Sequence, residues 1–223
     1  MKPVRTPEQA VADVAPGDVV MVGGFGLVGQ PLSLVDALTR APRARDLTII
    51  SNNLGEPGRG LGRVLLDGRI RRAIGSFFTS NPDVLQWQSE GRLELTLVPQ
   101  GTMAEAIRAG GAGVGGFYVH TAVGTLLAED QEHREIDGET YLFQRPLKAD
   151  VGLIRAARAD ELGNLTYSRT ARNFTPEMAT AARHVIAEVD EIVPVGELAP
   201  EQIVTPHVYV DALVRSRLSI ADL

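Results

Sequence analysis

The sequence predicts an α/β protein with a mostly parallel open sheet and helices on both faces, giving three layers. Two observations lead to this prediction. Short β-rich runs alternate with helical segments through the first two thirds of the 223 residues, an alternation typical of parallel sheets with right-handed connections. No internal repeat, low-complexity tract or Gly/Ser linker divides the sequence. We therefore expect a single domain over residues 1–223.

Four runs of apolar and β-branched residues are predicted as the strands of this sheet. They read DVVMV, LTIIS, IRRAIGSFF and LELTLV, at residues 18–22, 47–51, 70–78 and 93–98. Helices are predicted between and after them, at residues 31–41, 81–91 and 102–111. Pro31 suits the first turn of the first helix and Asn81 the cap of the second. Thr102 and Glu105 have the spacing of a capping box for the third.

The pattern changes after residue 111 and predicts an antiparallel addition. The stretch 111–125 is too rich in Gly and β-branched residues for a helix, and its length favours a functional loop. Asp137-Gly138 lies between the alternating runs of 133–143, a strong hairpin signal. Further strands are predicted at 150–156, 164–167 and 184–190, with a short helix at 175–182 that Thr175 would cap.

Composition excludes several classes of function. The chain has no Cys, and its four His lack metal-ligand spacing, so we expect no metal site. A net charge of −6 argues against a nucleic-acid partner. No run of 18 apolar residues exists to span a membrane, and the N-terminus reads as a short helix capped by Thr6, with Pro7 first, and not as a signal peptide. The expected compartment is the cytoplasm.

The segment GGFGLVGQP, residues 23–31, raises the question of a bound ligand. Gly24, Gly26 and Gly29 spell G-x-G-x-x-G, which after a strand suggests a dinucleotide site. Two features of the context argue against that interpretation. Pro31 delays the helix beyond the glycines, and the second strand ends in Ser-Asn-Asn where an acidic residue is required. What remains is a glycine turn that either exposes backbone N–H groups to an anionic or carbonyl ligand or simply packs tightly.

Several motifs in order resemble the small α subunit of the 3-oxoacid family of coenzyme A transferases. GGFGLVGQP is similar to the family's GGF-x-x-x-G-x-P signature, and VPQGTMAEAIRAGGAG at 98–113 matches its PQGT block almost residue for residue. Further matching segments follow in the family's order: SNNLG, GLG, REIDG, KADVGLIRA, GNLTY, ARNF and MATAA…IAEV. The resemblance covers nearly the whole length and implies the fold of these transferases.

The resemblance also implies a reaction. In the family, a glutamate attacks an acyl-CoA, an acyl anhydride forms, and a glutamyl-CoA thioester follows before a second acid takes the coenzyme A. That glutamate belongs to the β subunit, and no glutamate here has its Glu-Asn-Gly context. We therefore expect the chain alone to be inactive and to pair with a β subunit, in a heterodimer or an α2β2 assembly. Coenzyme A would be bound as a thioester substrate, with no tightly held cofactor.

The resemblance assigns this chain's share of the site. Gln100, in PQG, corresponds to the family glutamine whose amide stabilises the oxyanion, although it could instead cap the following helix. Gly23, Gly24, Phe25, Gly26, Leu27, Val28 and Gly29 correspond to the segment that contacts coenzyme A. Asn52 and Asn53, at the next strand end, could hydrogen-bond the acyl or carboxylate part, or could serve only as polar turn residues.

Departures from the family pattern leave the substrate open. Residues 77–81 and 115–122 differ from the family in loops that could border the acyl pocket. Succinyl-CoA with acetoacetate is the first expectation, with 3-oxoadipate, butyrate or acetate as alternatives. Two other classes stay open: a sugar-phosphate isomerase or deaminase relative, which would need its own acid and base, and a ligand-binding domain without chemistry.

Overall fold

The predicted alternation of strands and helices is present in the computed structural model, which describes residues 1–223. The strands in chain order are β1 (Val4–Arg5), β2 (Val19–Val22), β3 (Leu47–Ile50), β4 (Ile70–Gly75), β5 (Glu94–Leu97), β6 (Phe117–Val119), β7 (His133–Ile136), β8 (Glu139–Gln144), β9 (Ala149–Asp160), β10 (Leu165–Thr166), β11 (Ala182–Val193) and β12 (Ala212–Arg215). The helices are α1 (Pro7–Val11), α2 (Leu32–Arg40), α3 (Leu61–Leu66), α4 (Pro82–Ser89), α5 (Gln100–Ala112) and α6 (Thr175–Ala181). None of them is long and apolar enough to cross a membrane.

The main sheet runs in the order β1-β12-β11-β9-β2-β3-β4-β5, and every neighbouring pair is parallel. Strand β10 adds an antiparallel pairing to β9. From β2 the chain moves outward through β3, β4 and β5, whereas from β9 it moves the opposite way through β11 and β12. The boundary between β2 and β9 is therefore a topological switch point, where open α/β sheets bind ligands.

Two apolar cores, one on each face, hold the three layers together. One core packs α1 to α4 against the sheet and includes Leu34, Leu65 and Trp87. The other packs α5 and α6 against the opposite face and includes Met103 and Met178. Burying side chains of this size contributes about 1.5–3 kcal/mol each. Helices on both faces of a mostly parallel sheet confirm the predicted fold class.

The start of α2 depends on a carboxylate from a distant strand. The helix begins at Leu32, and Pro31 at its N-cap position has no side-chain cap. Glu188 of β11 supplies the missing acceptor: its carboxylate accepts from the backbone N–H groups of Ser33 and Leu34 at 3.0 and 3.1 Å. These are among the N–H groups that a helix cannot satisfy internally.

Glu188 is fully buried and has three side-chain donors as well. The Ser33 and Ser216 hydroxyls donate to it at 2.9 and 2.7 Å, and the Arg155 guanidinium at 3.4 Å. We call Ser33, Arg155, Glu188 and Ser216 the carboxylate network. Burial raises the pKa of Glu188, although the hydrogen bonds from Ser216, Leu34 and Ser33 and the charge of Arg155 oppose this rise.

Two predicted helix caps are wrong. Helix α5 begins at Gln100, directly after Pro99, so Thr102 lies inside the first turn and Glu105 pairs with Arg108 at 2.5 Å. Helix α6 begins at Thr175 itself, whose hydroxyl donates to Asn173 Oδ1 at 2.8 Å. In both cases a helix starting earlier than predicted moves the threonine past the cap position.

The segment between α5 and the hairpin is more ordered than the predicted loop. Helix α5 continues to Ala112 and ends at Gly113, which has a φ of 73°. Strand β6 then pairs with β8 to complete an antiparallel sheet of order β6-β8-β7. The hairpin turn is confirmed, because Asp137 and Gly138 both adopt the positive φ that a tight turn of this kind requires, 52° and 84°.

Candidate functional site

Four consecutive strands of the main sheet place polar groups beyond their carboxyl ends. Gly26 follows β2, Asn52 follows β3, Ser76 follows β4 and Gln100 follows β5. Because the strands are parallel, these ends lie at one edge of the sheet, beside the switch point between β2 and β9. Three of these residues were predicted site residues, and Ser76 was not.

The glycine loop after β2 is a miniature hairpin. Phe25 and Val28 exchange backbone hydrogen bonds of 2.9 and 3.3 Å, with Gly26 and Leu27 at the turn. Gly26 and Gly29 adopt φ values of 62° and 77°, which other residues rarely tolerate. The hairpin therefore depends on glycine at positions 26 and 29.

The two faces of this loop differ. A Cβ added at Gly29 would overlap the Ala171 carbonyl oxygen, whereas a Cβ at Gly26 would meet open space. At the tip, the Phe25 and Val28 side chains are 53% and 44% exposed, while Leu27 is buried. The base of the loop is packed against the protein, and its tip presents Gly26 and two apolar side chains to the surroundings.

Hydrogen bonds connect the loop to Gln100 through two side chains. The Gly26 N–H donates to Asn52 Oδ1 at 3.1 Å. The Asn52 amide then donates to Ser76 Oγ and to Gln100 Oε1, both at 3.0 Å. The Ser76 hydroxyl donates to the same Gln100 oxygen at 2.5 Å. We call Gly26, Asn52, Ser76 and Gln100 the amide relay; it contains no charged residue.

The relay ends in an unused donor. Both protein contacts of the Gln100 side chain involve Oε1, so its Nε2 group has no protein partner, and it is not among the buried unsatisfied atoms. Gln100 is also the first residue of the 13-residue helix α5, whose N-terminus carries a partial positive charge. The arrangement can donate a hydrogen bond to a negative oxygen without bringing a full positive charge.

Asn52 and Asn53 have separate surroundings. Both are buried, with 1% and 5% exposure. Asn53 shapes its own turn by accepting from the Gly55 N–H at 3.0 Å, and its amide faces Ser80 Oγ at 3.4 Å. The structure thus brings the glycine loop, Asn52 and Gln100 together, while Asn53 takes no part in the relay.

Four glutamates that could in principle act as nucleophiles are paired with arginines. Arg59, Arg92, Arg71 and Arg108 hold, respectively, Glu56, Glu90, Glu94 and Glu105. The hydrogen bond from Gln86 and then that from Arg92 lower the pKa of Glu90, and the hydrogen bond from Arg108 lowers that of Glu105. Glu188 is enclosed in the carboxylate network. None of these carboxylates takes part in the relay.

Ser76 was missed because the strand prediction ran too far. The run IRRAIGSFF was predicted as a strand over 70–78, which places Ser76 inside it. Strand β4 ends at Gly75, where a Cβ would crowd the Ser51 carbonyl oxygen and the Phe78 ring. A strand ending at that glycine would have placed Ser76 beside the other strand-end residues.

Comparison with known proteins gives the family. The profile described as Coenzyme A transferase matches residues 4–216. The chain is 49% identical to the A subunit of succinyl-CoA:3-ketoacid coenzyme A transferase from Xanthomonas campestris pv. campestris (strain B100), over 90% of this chain and 83% of that one. It is 48% identical to the A subunit of 3-oxoadipate CoA-transferase from Pseudomonas putida, over 92% and 89%.

Two further comparisons agree. The chain is 44% identical to the alpha subunit of acetate CoA-transferase from Escherichia coli (strain K12), over 97% of this chain and 98% of that one. Glutaconate coenzyme A-transferase from Acidaminococcus fermentans has the same fold, with a TM-score of 0.83 at 21% identity over 95% of this chain and 75% of that one. The family profile and the relatives show that this chain belongs to the coenzyme A transferase family.

Proposed function

We propose that this chain is the α subunit of a heteromeric transferase that moves coenzyme A between an acyl-CoA and a 3-oxo acid. The observation that carries the proposal is the unpaired Gln100 Nε2 donor at the carboxyl edge of the sheet, held by an uncharged relay. Family membership supports the reaction class. The relatives are named as A or alpha subunits, which supports a partner, and we propose a β subunit in a heterodimer or an α2β2 assembly.

The reaction needs a nucleophilic carboxylate, which we place on the partner. That carboxylate attacks the thioester carbonyl, the C–S bond breaks, and a mixed anhydride and a coenzyme A thiolate result. The thiolate then attacks the glutamyl carbonyl of the anhydride, forming the glutamyl-CoA thioester and releasing the first acid as a carboxylate. A second acid reverses these steps, so that no water is consumed and no oxidant is needed.

Gln100 would act where negative charge develops. Attack on the thioester carbonyl places the charge on its oxygen, and the free Nε2 group can donate to that oxygen. A neutral amide suits this position because a lysine or arginine would form an ion pair with the attacking carboxylate and lower its nucleophilicity. One donor of this kind lowers the barrier by about 3 kcal/mol.

The glycine loop supplies the complementary surface. We propose that residues 23–29 contact the coenzyme A thioester through the exposed tip of the hairpin, where Phe25 and Val28 offer apolar contact. Asn52 and Asn53 stay candidates for the acyl or carboxylate part, although both are buried. We propose a cytoplasmic location, because residues 1–14 lack the continuous apolar run of a signal peptide.

The acids that donate and accept coenzyme A are proposed as a class, with one pair as the first choice. Relatives named for 3-ketoacid, 3-oxoadipate and acetate transfer are 49%, 48% and 44% identical to this chain, so identity does not separate these substrates. Succinyl-CoA with acetoacetate is our first choice. A 3-oxoadipate, acetate or butyrate acceptor is the alternative.

The experiment is co-expression with the neighbouring reading frame, which we expect to encode the β subunit, followed by incubation with succinyl-CoA and each acceptor acid. We expect thioester exchange from the complex and none from either chain alone. Exchange by the lone chain would contradict the proposal and indicate a self-sufficient transferase. Isomerase or deaminase activity of the lone chain would indicate the other relative of this fold. Binding of acyl-CoA by the complex without transfer would instead indicate a ligand-binding domain of the same fold.

A further inference from the structure

We infer that Asn52 and Ser76 are positioning residues that determine which end of the Gln100 amide faces the reacting oxygen. This inference rests on the proposed function of Gln100 and extends it to residues that need not touch the substrate. Its basis is the direction of the hydrogen bonds in the amide relay, which one backbone group fixes.

The Gly26 N–H sets the direction because a backbone N–H can only donate. It points at an Asn52 side-chain atom 3.1 Å away, and that atom must accept, so it is Oδ1. The other end of the Asn52 amide is therefore Nδ2, which can only donate. It faces Ser76 Oγ and Gln100, so the Gln100 atom in contact must be the acceptor Oε1.

Ser76 reinforces this order. Its oxygen accepts from Asn52 Nδ2 at 3.0 Å, and its single proton has two acceptors within reach, Gln100 Oε1 at 2.5 Å and the Asn52 carbonyl oxygen at 3.3 Å. The nearer acceptor is Gln100 Oε1. Two donors then hold the Gln100 oxygen, and Nε2 is directed away from the relay. The alternative amide orientation would set Nε2 against the Asn52 Nδ2 donor and turn an oxygen toward the developing negative charge.

Burial of Asn52 holds the amide relay in one arrangement. Asn52 is 1% exposed, so water cannot readily replace its contacts. The Gly26 N–H is itself held by the hairpin, which needs the positive φ of Gly26 and Gly29. The glycine loop would thus also fix the orientation of the Asn52 amide, which follows β3, and through it the orientation of the Gln100 amide.

Asn52→Asp is the sharpest test, since it preserves shape and reverses polarity. A carboxylate at position 52 can still accept from Gly26 but cannot donate to Gln100, whose amide would rotate to donate its Nε2 group to that carboxylate. In the complex with the β subunit, we expect kcat to fall about 100-fold, as for loss of an oxyanion donor, with KM within about twofold.

The double variant separates this effect from simple charge repulsion. If the carboxylate introduced at position 52 acts through Gln100, Asn52→Asp should cost little more in the Gln100→Ala background. A repulsive effect of the new carboxylate on the nucleophile would slow both backgrounds equally, and that result would overturn the inference.

Ser76→Ala is a milder test that also guards against misfolding of the first variant. Losing one of two donors to Oε1 should lower kcat about 3- to 10-fold, with KM unchanged, and Ser76→Thr should restore most of it. Ser89→Ala is the matched control, because the Ser89 hydroxyl donates only to the Gln86 carbonyl on α4. Equal losses in Ser76→Ala and Ser89→Ala would contradict the inference.

A readout independent of turnover keeps the two proposals distinguishable. In the complex labelled with 15N-glutamine, the Gln100 side-chain protons should exchange with solvent quickly in the wild type and more slowly in Asn52→Asp, where Nε2 would donate to the buried carboxylate. If the wild-type complex transfers no coenzyme A, the proposed function fails while this measurement still tests the relay. Slow exchange at Gln100 in the wild type, unchanged in Asn52→Asp, would show that Nε2 already donates into the relay and would overturn the inference.

Discussion

The chain contains two polar networks of similar size, one partly exposed and one centred on a fully buried carboxylate, and they end differently. The amide relay joins neutral groups from four strand ends and terminates in a Gln100 Nε2 group that no protein atom accepts from. The carboxylate network surrounds Glu188 with five donor contacts and leaves it no exposed surface. An open network offers a hydrogen bond to a ligand, whereas a closed one uses all of its hydrogen bonds to hold the fold.

The two networks also differ in charge. A carboxylate is tolerable inside the protein only when its donors are complete, and the carboxylate network provides two backbone N–H groups, two hydroxyls and a guanidinium. The relay can stay incomplete because a neutral amide whose NH2 group is free at the surface costs little. We therefore expect changes in the closed network to affect stability and changes in the open network to affect turnover.

Glu188→Ala should have the largest effect on stability. It would leave the buried Ser33 and Leu34 N–H groups without their acceptor, while Arg155 would keep its pair with Asp190. We expect a loss of about 3–5 kcal/mol in the free energy of unfolding. Urea unfolding measures this. The matched control is Glu191→Ala on the same strand, because Glu191 forms an exposed pair with Arg158 at 2.7 Å and should cost less than about 1 kcal/mol. Similar losses in both variants would contradict the claim that the carboxylate network is what stabilises the fold.

Gln100→Ala should have the largest effect on turnover. The variant keeps the backbone of α5 and removes the free donor, so kcat of the complex should fall about 10²- to 10³-fold. The melting temperature should change little, since the side chain is partly exposed at a helix start. Loss of folding with normal turnover per folded molecule would show that Gln100, like Glu188, stabilises the fold and does not act in the reaction.

Two alanine substitutions in the glycine loop, where the amide relay begins, compare the packed base of the loop with its open tip. Each costs about 1–2 kcal/mol for a left-handed conformation. Gly29→Ala should cost at least about 1 kcal/mol more than Gly26→Ala, because only the Cβ at position 29 meets the Ala171 carbonyl oxygen. Chemical unfolding of the two variants measures the difference. Equal costs would mean that the base of the loop is not anchored as described.

The smallest expected effect is on the pH dependence of stability. Burial raises the pKa of Glu188 in the folded protein, so the native carboxyl binds its proton more tightly than the unfolded one does. Its contribution to stability is complete below the unfolded pKa and is lost as the pH rises through the native pKa. The stability of the wild type relative to Glu188→Gln should therefore fall over that range. A relative stability that rises with pH would show that the five donors favour the ionised form.

Much of the fold follows from local patterns. The runs at 18–22, 47–51 and 93–98 became β2, β3 and β5, because short β-branched segments bounded by helices have few alternatives in a parallel sheet. Asp137-Gly138 fixed its turn through the φ values that these residues tolerate. These features depend on neighbours in sequence.

The missed elements depend on distant partners. Strands β1 and β12 have two and four residues and pair with each other from opposite ends of the chain. Helix α3 has six residues and starts where Gln30 Oε1 accepts from the Leu61 N–H at 3.2 Å. No local signal of length or periodicity marks such segments.

The candidate site, too, contains residues that the sequence identified and one residue that it did not. Family resemblance identified Gln100, the glycine loop and Asn52, and these lie together at one sheet edge. It did not identify Ser76, whose importance depends on two side chains 24 residues away in either direction. Outside the site, it did not identify Glu188 either, since a glutamate within a strand gives no sign that it caps a helix 155 residues earlier.

The central claim is that this chain supplies uncharged donors while its partner supplies the attacking carboxylate. The most direct measurement is intact-mass analysis of the two-subunit complex after brief incubation with an acyl-CoA and rapid quenching. We predict that the partner chain alone gains the mass of a bound coenzyme A thioester. A covalent coenzyme A or acyl adduct on this chain's own carboxylates would contradict the account.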